Sequence, residues 1–257
     1  MSYAAGFLLI GVALFAAMLG LLEVGRRIGA RRLAKDADGA RAGVGAVEGA
    51  VFGLLGLMIA FTFSGAAARF EVRRQLITTE ANAIGTAWLR IDMLPAEAQP
   101  AMRDTFRRYV DSRIETYRRM PDIAAAYEEM ARSTALQREI WSMAVASAPA
   151  GSPQATMLLL PALNQMIDIT TTRLAATRTH PPAVVFGMLT LLALAGALLA
   201  GYSMAQGRTR NWLHVVAFAF TMAATIYVIV DLEFPRLGLI RIDDADLLLV
   251  ELRQGMN

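Results

Sequence analysis

Cysteine is absent from this 257-residue chain, which removes disulfides, thiolate metal sites and thiol nucleophiles together. Histidine occurs only twice, as His180 and His214. Hydrolysis or group transfer usually sets a nucleophile beside a base, so an enzyme is disfavoured and no catalytic residue is assigned. No His, Asp or Glu set recurs at the one-turn spacing that would gather metal ligands on a helix face, so neither a metal site nor a cofactor is expected. Asp243, Asp244 and Asp246 read as a solvated acidic turn rather than a cation site, which needs more oxygens in register. A phosphate-cradling glycine loop followed by lysine is missing, and lysine itself occurs once, at Lys35. No surface interleaves aromatic and basic residues, which excludes nucleic acid as a partner. Alternation at a period of two is also lacking, so strands are not expected.

What the chain has is apolar length. Hydrophobic residues make up 56% of it, and its mean hydropathy is +0.43, too high for an ordinary water-soluble domain of this size. The excess collects in four uncharged runs, residues 3–22, 49–68, 183–204 and 211–230. Each is about the 20 residues that a helix needs to cross hydrocarbon. In lipid the backbone must satisfy itself, and the runs lack barrel-strand alternation, so they read as helices. No basic residue precedes the first run and no small-x-small cleavage site follows it, so it reads as a retained span rather than a removed signal. The fold class expected is an all-α integral membrane protein, in which four transmembrane helices carry a large helical extramembrane domain inserted between spans 2 and 3. The divisions are a transmembrane hairpin over 1–68, the helical domain over 69–182, a second hairpin over 183–230 and a tail over 231–257. The lipid bilayer is the first partner implied.

Within the insert, helical spacing of Ile77, Ala81, Ile84, Trp88 and Ile91 carries the second span's helix onward until Leu94-Pro95 stops it. Further helices are expected from Pro100 to Arg119, from Asp122 to about Ala148, and from the N-cap Ser152 to about Arg178, the last kinked at Pro161. Asp104 with Arg108, and Glu115 with Arg119, have the spacing of stabilising pairs. His180-Pro181-Pro182 closes the insert. The tail is expected to pack on this domain.

Charge indicates sidedness. The connection from Glu23 to Gly45 reads as a flexible hairpin holding Arg26, Arg27, Arg31, Arg32, Lys35 and Arg41, and the short loop near Gln206 adds Arg208 and Arg210. Dense basic residues in short loops mark the cytoplasmic side, which puts the helical domain outside the plasma (inner) membrane. No span has an ionisable group near its centre, which weighs against an ion-coupled pump. Glu48, at the edge of the second span, is expected to snorkel or to pair with Arg41. The second span carries Gly45, Gly49 and Gly53 at intervals of four, and the third a matching strip of Ala193, Ala197 and Gly201. Such strips usually mean tight helix packing. The other reading is a pore-facing surface, since a conduction path gated by an apolar constriction needs no charge.

The stretch Leu54 to Leu76, LLGLMIAFTFSGAAARFEVRRQL, resembles the second transmembrane helix of bestrophins, with Phe61, Arg69 and Phe70 at matching spacing. Glu80 to Pro95 (EANAIGTAWLRIDMLP), the LNQMID around Asn164 and DLEFPRLGLIRI (Asp231 to Ile242) resemble a bacterial bestrophin-like family, whose four-span plan with a large insert this chain shares. The resemblance implies a ring of identical subunits whose second helices line a central pore, with its neck at Gly53, Leu57 and Phe61. It also implies a cytoplasmic domain, opposite to the charge reading. The chain departs from bestrophins at Gly53, where they carry bulkier residues, and at Phe70-Glu71, where they carry a tryptophan pair.

Two functions follow as expectations. One is an oligomeric, passive ion channel with Gly49, Gly53, Leu57 and Phe61 lining the pore. Arg69, Arg73 and Arg74 would form a basic vestibule that favours small inorganic or organic anions. The other is a non-conducting membrane-anchored helical sensor or partner-binding scaffold.

Overall fold

The computed structural model describes residues 3–36, 38, 43–207 and 211–256, and these form eight α-helices with no strand among them. They are α1 (Tyr3–Lys35), α2 (Val44–Arg90), α3 (Gln99–Arg118), α4 (Ile123–Ser147), α5 (Pro153–Arg178), α6 (Ala183–Met204), α7 (Trp212–Glu233) and α8 (Asp243–Gln254). Four helices are long and apolar enough to cross a membrane. The chain divides into two compact units, residues 1–68 with 180–234, and residues 69–179 with 235–257.

In the first unit, α1 packs against α6 and α7. The glycines of α1 and α6 explain how. A Cβ on Gly25 would collide with the Leu198 carbonyl oxygen, one on Gly29 with that of Tyr202, and one on Gly201 with that of Leu22. Backbone therefore meets backbone, which only glycine allows at these three points. Around them Met18, Leu22, Ala193 and Ala197 are buried. The third span's small-residue strip thus packs on α1, and the expected match with the glycines of α2 is corrected. The connection after the first span is corrected too: it stays helical through Lys35, with Glu23 bonded to Arg26 (3.1 Å) and Arg27 (2.7 Å). Charged residues one turn apart hold this part of α1 helical where a loose hairpin was expected. Gly43, at φ +72°, takes the left-handed conformation just before α2 begins. Arg41, Arg208 and Arg210 lie outside the described residues.

In the second unit, α2 continues to Arg90 and ends in a 3₁₀ turn, Ile91–Met93, ahead of Leu94-Pro95. Ile77, Ile84, Trp88 and Ile91 are all buried on its inner face, and the last three join Phe106, Tyr109, Leu136, Ile140, Leu163 and Met166 in one core. Each such side chain contributes on the order of 1.5–3 kcal/mol by leaving water. The caps follow the sequence reading, since Asp122 and Ser152 each accept a backbone N–H three residues on, from Ala125 and Ala155, at 3.1 Å. Pro161 sits inside α5 without ending it. Glu115 pairs with Arg119 at 2.7 Å, but Arg108 reaches across to Glu139 on α4 at 3.7 Å instead of back to Asp104. The tail does pack here: Leu249 and Met256 are fully buried in the same core, and Arg107 donates to the Met256 carbonyl at 2.6 Å. Asp243, Asp244 and Asp246, expected in a solvated turn, instead form the first turn of α8, where the positive end of the helix dipole favours acidic side chains.

Candidate functional site

Within the first unit, α2 turns Leu55, Thr62 and Ala66 inward and leaves the opposite face open. Gly49 and Gly53 are exposed, and a Cβ on either would meet nothing within 4 Å. Leu57 and Phe61 follow at the same interval of four, 52% and 69% exposed. The four residues therefore share one strip of a single helix, bare in the isolated chain. The glycines do not seat a neighbouring helix of their own chain, which corrects the packing expectation. An uncovered strip of apolar and glycine surface on a spanning helix is available to lipid or to another copy of the chain. Glu48 accepts a hydrogen bond from the Ser203 hydroxyl at 2.7 Å. Ser203 thus gives this carboxylate a polar partner on α6; its other expected partner, Arg41, lies outside the described residues.

The three arginines expected beyond the span do not form one group. Arg73 is buried, and its guanidinium donates to the carbonyl oxygens of Ala176 (3.1 Å) and Thr179 (2.9 Å), closing the C-terminal end of α5. Arg69 is half-buried and Arg74 is exposed, the latter 3.7 Å from Glu71 one turn back.

Sequence reasoning missed the buried ionic cluster of the second unit. Glu80, fully buried, accepts from Arg113 at 2.6 and 3.3 Å and from Arg173. Arg113 also donates to the Tyr117 hydroxyl at 2.6 Å, and Arg236 grips Asp246 with two bonds of 2.6 and 3.0 Å. The guanidiniums of Arg113, Arg173 and Arg236 lie 5.2, 4.1 and 4.4 Å from the centre of the Tyr117 ring, within the range of cation–π attraction. Burial alone would raise the Glu80 pKa, but Arg113 and Arg173 outweigh it and hold the carboxyl at about 2. Glu80 lies well past the uncharged run that ends at Ala68. The signal that could have found it was a lone acid between Ile77 and Ile84 on an apolar stripe.

The two histidines are set apart. His180 Nδ1 lies 3.3 Å from Glu233 Oε2, and its ring stacks on Phe234 at 4.6 Å. His214 is exposed in the first turn of α7, its N–H bonded to Asn211 at 3.3 Å. Among the described residues no three His, Asp or Glu side chains gather as metal ligands.

A Bestrophin-like domain matches residues 12–247. The chain belongs to the Bestrophin-like family. Its fold matches crystal structures of a bacterial bestrophin homologue from Klebsiella pneumoniae. A tryptophan-to-alanine variant of that homologue gives a TM-score of 0.72 at 14% identity, over 95% of this chain and 96% of the other. A tyrosine-to-alanine variant gives 0.65 at 15% identity, over 92% and 98%. A proline-to-alanine variant of a membrane protein gives 0.61 at 17% identity, over 94% and 98%. No curated protein matches the chain in sequence. With its four spanning helices, this Bestrophin-like protein is a multi-pass membrane protein.

Proposed function

We propose that this Bestrophin-like protein is a passive, anion-preferring ion channel formed by several copies of the chain, with α2 lining the pore. The observation that carries the reading is the bare strip of α2. Gly49, Gly53, Leu57 and Phe61 face away from their own chain, and a symmetric assembly would bring those strips together about one axis. Glycines at Gly49 and Gly53 leave room for ions, whereas Leu57 and Phe61 form an apolar constriction that gates by dewetting. Arg69 and Arg74 stand at the mouth, and Arg73 braces the end of α5 beside them. The summed positive potential of such a ring draws anions and weakens as salt shortens the Debye length. The protein then resides in the inner membrane. The exposed helical arginines Arg27, Arg31 and Arg32 support a cytoplasmic turn between α1 and α2, which leaves the second unit outside.

Protein purified into liposomes is expected to pass chloride or small organic anions, and Phe61→Ala to raise that flux on the order of several-fold by widening the constriction. Flux at background for both proteins across pH and calcium concentration would overturn the channel and leave the anchored helical scaffold, in which Phe61→Ala alters only stability.

A further inference from the structure

Given the conduction path along α2 proposed above, the helix itself decides which charges meet it. At about 100° per residue, Glu71 lies about 40° around the helix from Leu57, whereas Arg74 lies about 100° away on one flank and Arg69 about 120° away on the other. Leu57, Ser64, Glu71 and Thr78 are spaced by seven, the interval that keeps one face of a helix toward a shared axis. The remaining charges of α2 point elsewhere or are held. Glu48 is bonded to Ser203, Arg73 and Glu80 are buried, and Arg90 donates to the Leu158 carbonyl at 2.5 Å. Beyond Glu71 the exposed face continues as Gln75, Thr78, Asn82 and Thr86, neutral and polar.

We propose that Glu71 is a charge-selectivity residue of this channel, a ring of carboxylates facing the path that opposes the flanking Arg74 and limits preference for anions. The two side chains, 47% and 58% exposed, lie 3.7 Å apart. They set opposite charges at one level of the path, and each moderates the potential of the other. Their removal therefore has opposite signs: loss of the acid leaves unopposed guanidiniums, and loss of the base leaves unopposed carboxylates. A purely structural pair would be weakened alike by either change and would not move selectivity in two directions.

The test is the reversal potential of reconstituted protein in planar bilayers under a potassium chloride gradient, with assembly of each variant checked by size-exclusion chromatography. Glu71→Gln is expected to raise the chloride-to-potassium permeability ratio roughly three- to tenfold, and Arg74→Gln to lower it by a similar factor, as for charged rings at pore mouths. The double variant should return close to the wild-type ratio. Both shifts should shrink as salt rises from about 0.1 to about 1 M, where the Debye length falls from about 10 to about 3 Å. Wild-type conduction with a reversal potential that Glu71→Gln leaves in place overturns the role of Glu71 while the channel stands. Absence of conduction in every protein removes the channel, and the selectivity residue with it.

Discussion

Glu80 concentrates the energetics of the second unit in one side chain. A carboxylate without exposure survives only because two guanidiniums meet it, and truncating one partner of such a buried pair costs about 3–5 kcal/mol. Glu80→Gln, which keeps the shape and removes the charge, strands Arg113 and Arg173 in the interior and should lower thermal stability markedly. Acid titration checks the same group from another side. The carboxyl is held at about 2 against an ordinary 4.5, so the folded state binds its proton less readily than the unfolded chain does. Its contribution is complete above pH about 4.5 and is lost as pH falls toward and through about 2. Melting curves between pH 7 and pH 2 should show this loss in the wild type, and Glu80→Gln should flatten it. The apolar stripe around Glu80 was legible from spacing alone. The ionic cluster was not, because Arg113 and Arg173, which meet Glu80, and Arg236, which joins them only at the Tyr117 ring, come from distant stretches of the chain that folding brings together.

Helices α1 and α2 use glycine in opposite ways. Gly25 on α1 and Gly201 on α6 sit where backbones touch, while Gly49 and Gly53 on α2 face open space. Gly201→Val should therefore force α1 and α6 apart and cost at least the ~1–3 kcal/mol of an overpacked interface. Gly53→Ala should leave the fold intact, and helix propensity even favours it by up to ~1 kcal/mol. Residual monodisperse protein after graded heating in detergent separates the two, and equal losses would contradict this division. Spacing by four identified the strips of the second and third spans in the sequence but not Gly25 and Gly29 on α1, and a strip carries no address. Which helix it meets depends on the direction of each face in the assembled bundle, so the pairing of the third span with the first appeared only in three dimensions. The continuation of α2 past the membrane run was legible, since no proline intervenes before Pro95 and the apolar stripe keeps its period.

For the molecule as a whole, the open face of α2 makes a prediction about copy number. The proposed pore needs several copies of the Leu57 and Phe61 strip around an axis, so on that proposal the chain should associate. Native mass measurement or cross-linking of the detergent-solubilised protein should give one defined oligomer, and a monomer would exclude the symmetric pore. Glu71→Gln and Phe61→Ala should keep the same mass, because the first alters charge and the second bulk on the face that the proposed channel would turn toward its axis.

By itself the sequence determined the class of this protein, because hydrocarbon admits only long uncharged helices and the chain contains runs of the necessary length. It also determined where most helices start and stop, since caps and prolines act over three or four residues. The resemblance of Leu54 to Leu76 and of the segments around Glu80, Asn164 and Asp231 to bestrophins belonged to the same local information. Tertiary structure alone decided that Arg73 closes α5, that Arg108 reaches Glu139 rather than Asp104, and that the acidic turn near Asp243 begins a helix bound to Arg236. Charges are satisfied by whatever the fold brings within a few ångströms, and distance along the chain says little about that.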